Sequence, residues 1–325
     1  MIKIVLLFIL ISSFSFGQSF APAPGEVGTT AIHKDSSVFI GWASGVSIHR
    51  GPINIQNIAL GAASYGVESE GEGIPDGISV VSLGDGGEAV VTFDLPITNG
   101  IGPDFAIFEN GFTDNYMEFA FVEVSSDGIN FFRFPSISET PIDIQISNFS
   151  FSDCRYVHNL AGKYRQNYGT PFDLQDLNGT VGLDLNQITH IKLKDVIGTI
   201  NPMYAYTDSQ GNIINDPYPT EFNSGGFDLD AIGVIHELAS VNELGLEIIL
   251  YPNPTDGILY MKTESKVDYS VLDFKGEVLD FGSCEGTLKI DLSLYPCSVY
   301  FIQIINGTES SISKIIKTSK IITFE

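Results

Sequence analysis

Leu83–Gly128 reads LGDGGEAVVTFDLPITNGIGPDFAIFENGFTDNYMEFAFVEVSSDG, a stretch patterned as a succession of β-strands. Its apolar residues gather in short runs, Ala89–Phe93, Phe105–Phe108 and Phe119–Val124, each of strand length. The intervening turns are crowded with Gly, Pro, Asp and Asn, the residues that reverse a chain cheaply. Ser126-Asp127-Gly128 marks a hairpin, because Gly supplies the positive φ such a turn needs, and Asn130–Phe134 reads as the return strand. Acidic groups occupy the same loops: Asp85, Glu88, Asp104, Glu109, Asp114, Glu118 and Asp127. Apolar strands with oxygen-rich loop ends predict a β-sandwich that holds a cation or a polar ligand at one end.

Outward from this stretch the pattern persists. Ile78–Leu83 reads as a strand before it; Ile188–Leu193 alternates as ITHIKL, and Gly226–Ile235 closes the unit as a strong strand. No sustained helical period occurs between residues 31 and 240, and the 33 Gly, 23 Phe and 13 Tyr suit an all-β chain with many turns. Beyond it, Ile248–Tyr251, Ile258–Thr263, Asp268–Phe274, Glu277–Phe281, Thr287–Asp291, Ser298–Ile305 and Ser311–Lys317 read as about seven short strands spaced by turn signals, the pattern of a small immunoglobulin-like β-sandwich. The expected organisation is a jelly-roll-like cargo domain over residues 18–240, a linker over 241–246 and a second β-sandwich over 247–325.

Lys and Arg number 16 against 40 acidic residues, for a net charge of −24. That field repels nucleic acid and anionic membrane surfaces and leaves cations, neutral glycans and basic proteins as partners. The N-terminus carries Lys3, the apolar run Ile4–Ile11 and the small-residue pattern Ser15-Phe16-Gly17, which together predict a signal peptide cleaved before Gln18. The run is far shorter than the ~20 residues of a membrane span. Cys284 and Cys297 either pair in an oxidising compartment or, with Cys154, stay free thiols.

Four segments follow in a specific order: LYPNPTDG at Leu250–Gly257, VLDFKGEVL at Val271–Leu279, IDLSLYPCSVYFIQI at Ile290–Ile304 and SKIIK at Ser313–Lys317. This order resembles the type A C-terminal sorting domain of type IX secretion substrates, with Cys297-Ser298 where that family usually has Ser-Gly. The resemblance implies passage through the periplasm of a Gram-negative bacterium, an encounter with the type IX machinery, and release or display at the outer-membrane surface. Two further segments, VEVSSDGINFFRF at Val122–Phe134 and FDLDAIGVI at Phe227–Ile235, resemble the galactose-binding-like jelly rolls of discoidin-type and carbohydrate-binding modules. That resemblance implies glycan recognition and a structural calcium ion.

Candidate site residues follow from chemistry. Calcium takes six to eight oxygens from carboxylates and carbonyls, so Asp85, Glu88, Asp104 and Glu109, joined by Asp228 and Asp230, are the expected ligands of one cation. Loop aromatics stack on sugar faces, which singles out Trp42, Tyr116 and Tyr164 as ligand-binding candidates. Three functions stand open: a surface binding protein for a glycan or another extracellular ligand, a hydrolase of extracellular polymers using Glu109, Glu118 or Glu123, and an adhesion component without a small ligand. Neither a HExxH motif nor a GxSxG elbow is present to favour catalysis.

Overall fold

The structure, a computed structural model, describes residues 19–240, 248–306 and 309–319. The predicted signal peptide (1–17) and linker (241–246) lie outside these residues. The main strands are β1 (Gly45–His49), β2 (Glu88–Ile97), β3 (Phe105–Glu109), β4 (Ala120–Ser125), β5 (Tyr168–Phe172), β6 (Ile188–Asp195), β7 (Asp228–Val234), β8 (Glu237–Ser240), β9 (Ile248–Asn253), β10 (Ile258–Leu272), β11 (Val278–Asp291), β12 (Val299–Asn306) and β13 (Glu309–Ile316). The only described helices are short 3₁₀ turns, so the chain is all-β, as its composition implies. Among the described residues, no helix is long and apolar enough to cross a membrane.

The cargo strands form two antiparallel sheets. In one, β3 lies between β5 and β7; in the other, β6 lies between β2 and β4, and β1 also pairs with β2. From β2 to β7 each successive strand belongs to the opposite sheet, so every connection crosses the sandwich. Val91, Val122, Val124, Ile191 and Leu193 from one sheet share a core with Phe105, Ile107, Leu229 and Ile232 from the other.

Strand β3 does not alternate in polarity because it is covered on both faces. Phe105 and Ile107 enter the main core, while Ala106 and Phe108 meet Ala231, Phe39 and Trp42 on the reverse side. The Trp42 ring lies 5.0 Å from Phe39 and 5.7 Å from Phe108, so the tryptophan covers a sheet. Phe105 is fully buried and stacks on Phe172 at 5.4 Å, with Phe134 at 5.9 Å. Phe105→Ala is therefore expected to cost about 3–5 kcal/mol, read as a lower midpoint in urea unfolding.

In the C-terminal unit five described strands replace the seven expected. The predicted pairs 258–263 with 268–274, and 277–281 with 287–291, merge into the long β10–β11 hairpin. Their Thr, Ser and Gly residues form a bulge rather than a reversal: the register shifts between Thr263 and Val267, where Thr263 Oγ1 donates to the Ser265 carbonyl at 2.9 Å. The first half of β10 pairs with β9 and the second half with β12, and a separate core forms around Leu250, Met261, Val271 and Ile302. The Lys317 ammonium donates to the carbonyls of Leu292 at 2.9 Å, Ser293 at 3.3 Å and Tyr295, which ties the end of SKIIK to the LSLYP loop. Cys154, Cys284 and Cys297 are all free thiols; no disulfide joins the last two.

Candidate functional site

Antiparallel pairing sets Glu109, at the end of β3, opposite Leu229, one residue past Asp228 at the start of β7. Glu118 stands two residues before β4 in the other sheet. Chain crossing thus brings three carboxylates from two sheets to one end of the sandwich, each offering an oxygen within 4.8 Å of the others. All three are buried, at 2% exposure for Glu109, 8% for Glu118 and 6% for Asp228. Gly111 makes the close approach possible. Its N–H donates to Glu109 Oε2 at 2.7 Å, and a Cβ there would lie 2.8 Å from the same oxygen.

The electrostatics follow from crowding. Burial first, then the Asp228 charge, pushes both Glu109 and Glu118 well above the usual carboxylate range. Burial likewise moves Asp228 up to about 7, against a hydrogen bond from the Ser82 hydroxyl. The guanidinium of Arg50, which acts on Asp228, is directed at backbone carbonyls: Ser82 at 2.6 Å, Gly66 at 2.7 Å and Tyr65 at 2.8 Å. Glu118 accepts no hydrogen bond from any described residue.

Two more buried acids stand behind the triad with structural duties. Asp195 accepts from Phe227 N at 2.7 Å and Gly86 N at 2.8 Å, and Asp216 accepts from Phe119 N at 3.1 Å. Burial raises both well above their usual range.

Above the carboxylates opens a cleft of about 710 Å³. Glu118, Asp228 and Asn110 line it together with Phe112, Tyr116, Phe149, Phe151 and Phe222. Phe112, Phe149 and Phe151 are 74%, 77% and 63% exposed, so aromatic rings form a solvent-facing rim over a buried acidic floor. Exposed rings converging on a concave polar site are the usual mark of a ligand cleft. Tyr116 lies between rim and floor; burial, then the Glu118 charge, raises its phenol pKa.

Of the six carboxylates expected around one cation, only Glu109 and Asp228 come together, and Glu118 is the third member. The other four have different partners. Asp85 accepts from Ile55 N at 2.7 Å, and Glu88 pairs with Lys194 at 2.6 Å. Asp104, at the opposite end of β3 from Glu109, meets His236 Nδ1 at 2.7 Å and accepts from Leu174 N at 2.7 Å. Asp230 accepts from Gly77 N at 2.9 Å and Asp76 N at 3.2 Å. Backbone N–H groups and two basic side chains, Lys194 and His236, satisfy these acids, which is why they do not converge. Glu123 is held by Arg133 at 2.7 Å and Lys192 at 2.5 Å, away from the cleft. Among the aromatic candidates only Tyr116 faces the cleft. Tyr164 is 2% exposed, with its hydroxyl 2.8 Å from Thr30 Oγ1, and Trp42 packs on Phe108. The rim residues Phe149, Phe151 and Phe222 come from the irregular segment 136–224, where no periodic pattern pointed to them.

Residues 249–318 match the family described as the secretion system C-terminal sorting domain. No curated protein matches the chain. Among solved structures, a DUF3244 family protein with an immunoglobulin-like β-sandwich fold from Bacteroides vulgatus is similar at 16% identity and a TM-score of 0.22, over 26% of this chain and 96% of that one. The β-glucuronidase of Ruminococcus gnavus, in complex with C6-substituted uronic isofagomine, is similar at 15% identity and a TM-score of 0.21, over 87% of this chain and 45% of its own. The chain thus spans less than half of the glucuronidase, and likenesses this slight say nothing about activity. The C-terminal segment is a type IX sorting domain, and through it the protein is a substrate for type IX export.

Proposed function

We propose that the cargo is a cell-surface or secreted binding protein whose aromatic-rimmed cleft takes a glycan. The signal peptide over residues 1–17 brings the chain to the periplasm, and the tail carries it to the outer surface of a Gram-negative cell. The observation that carries the binding reading is the convergence of exposed Phe112, Phe149 and Phe151 with Tyr116 over buried carboxylates and Asn110. A sugar has apolar C–H faces that stack on rings and hydroxyls that donate to carboxylates, so it matches both layers of the cleft. The −24 net charge disfavours anionic ligands in the same place.

The test is a glycan array probed with purified protein, followed by titration of the bound glycans against Tyr116→Ala and Phe112→Ala. Each variant is expected to weaken binding about tenfold, or roughly 1.4 kcal/mol, without lowering the melting temperature of these partly exposed positions. Absence of binding to any glycan, or full binding by both variants, sinks the proposal and favours an adhesion component without a small ligand. The hydrolase reading narrows to Glu109 and Glu118, since Glu123 is neutralised by two cations. Turnover of a bound glycan that is lost in Glu109→Gln would move the protein to that class.

A further inference from the structure

We infer that Glu109, Glu118 and Asp228 seat a calcium ion at the floor of the cleft, with part of its coordination shell open to whatever the cleft holds. Glu118 is the observation that separates this site from a chance crowd of acids. It is 8% exposed, lines the cleft beside Asp228, and accepts no hydrogen bond from any described residue. Asp85, Asp104, Asp195, Asp216 and Asp230 each accept backbone N–H bonds. No described Lys, Arg or His forms an ion pair with Glu109, Glu118 or Asp228, although buried anions are costly without a partner.

The donors identify the class of ion. Carboxylate oxygens, with the Asn110 amide nearby and no His or Cys in the group, suit a hard cation. Two oxygens bound to one calcium ion stand at most about 4.6–5.2 Å apart, twice its bond length of about 2.3–2.6 Å. Each of the three carboxylates brings an oxygen within 4.8 Å of the others, close enough for one ion to be shared among them. Magnesium demands a tighter octahedron and keeps most of its water, so it fits a three-carboxylate floor less well. The net charge of −24 draws cations towards the protein from a distance.

The cation proposal stands independently of the glycan reading; only its open coordination position rests on that reading. The test is calorimetric titration and thermal melting of chelator-treated full-length protein with calcium chloride alone, and in parallel with magnesium chloride. Calcium at about 1 mM is expected to raise the melting temperature, with a smaller shift from magnesium. Glu118→Gln is expected to weaken calcium binding at least about tenfold, while its chelated form melts no lower than the chelated wild type because the amide relieves repulsion. Glu109→Gln repeats the test should the first variant melt lower. A wild-type melt and heat signal unmoved by calcium, or an undiminished shift in both variants, overturns the proposal. Calcium binding without glycan binding removes the glycan reading and with it the open coordination position but leaves the ion site standing, whereas equal glycan affinity with and without chelator removes only the open coordination position.

Discussion

Deletion of residues 247–325 is expected to empty the cell surface and medium of the protein and to leave the cargo in the periplasm. The physical basis is the separation of the two cores. Leu250, Met261, Val271 and Ile302 pack among residues of the tail, whereas Val91, Ile107, Val122 and Leu229 pack within the cargo. Removing the tail leaves the cargo's core whole, so the cargo is expected to stay folded while its export fails. The deletion does remove the partner of β8, which pairs with β9 at Ser240–Ile249 and with β2 at Glu237–Ile97. Proteolysis resistance of the periplasmic product therefore belongs in the same experiment. Fusion of residues 247–325 to a periplasmic reporter is expected to carry that reporter out. Unchanged surface display after deletion contradicts the routing.

The second large effect is on stability. Metal-free protein is expected to lose stability as pH rises from about 4 to 7, opposite to the usual acid denaturation of proteins rich in ion pairs. Burial lifts the Asp85 carboxyl from 3.8 to about 7, and it raises Asp104 as well. A carboxyl held above its unfolded value keeps its proton in the folded chain after the unfolded chain has released it. Its contribution is therefore fully present below about pH 4 and is lost as pH climbs through about 7. For Asp85 alone the shift corresponds to about 4 kcal/mol. Asp195 and Asp216 face the same region and are also raised by burial, with Asp85 adding repulsion to each. The opposing carboxyls are Asp76, Asp127, Asp208, Asp291 and Glu123, all lowered, Glu123 by its Lys192 and Arg133 partners. Urea unfolding in the presence of chelator at pH 5 and pH 8 measures the balance. A higher midpoint at pH 8 contradicts it.

The sandwich was legible wherever local chemistry decides the outcome. FAIF is continuously apolar because both faces of β3 are covered, and the Asp127 carboxylate receives N–H bonds from Ile129 and Asn130 at 2.8 Å each, shaping the SSDG turn. The same local chemistry hid the site. An Asp beside Gly in a loop looks alike whether it caps a turn or binds a ligand. Asp85 and Asp230 receive backbone N–H groups, whereas Asp228 closes on Glu109, 119 positions away in the chain, through a strand pairing that spacing does not reveal. Glu118 gains its standing only from the absence of described hydrogen-bond partners, a property of packing rather than of sequence. In the tail, polar residues at Thr263–Lys266 suit a bulge as well as a reversal, so the sequence pattern predicts two strands where the structure has the single β10.

The proposed function places the cargo's ligand in the cleft over Glu109, Glu118 and Asp228. Its most direct measurement is a crystal structure of the protein grown with calcium and soaked with a glycan recovered from the array. The expected result is an ion among the three carboxylates and a sugar ring against Tyr116 or Phe112. A glycan bound at any other surface, with the cleft holding only water, contradicts it.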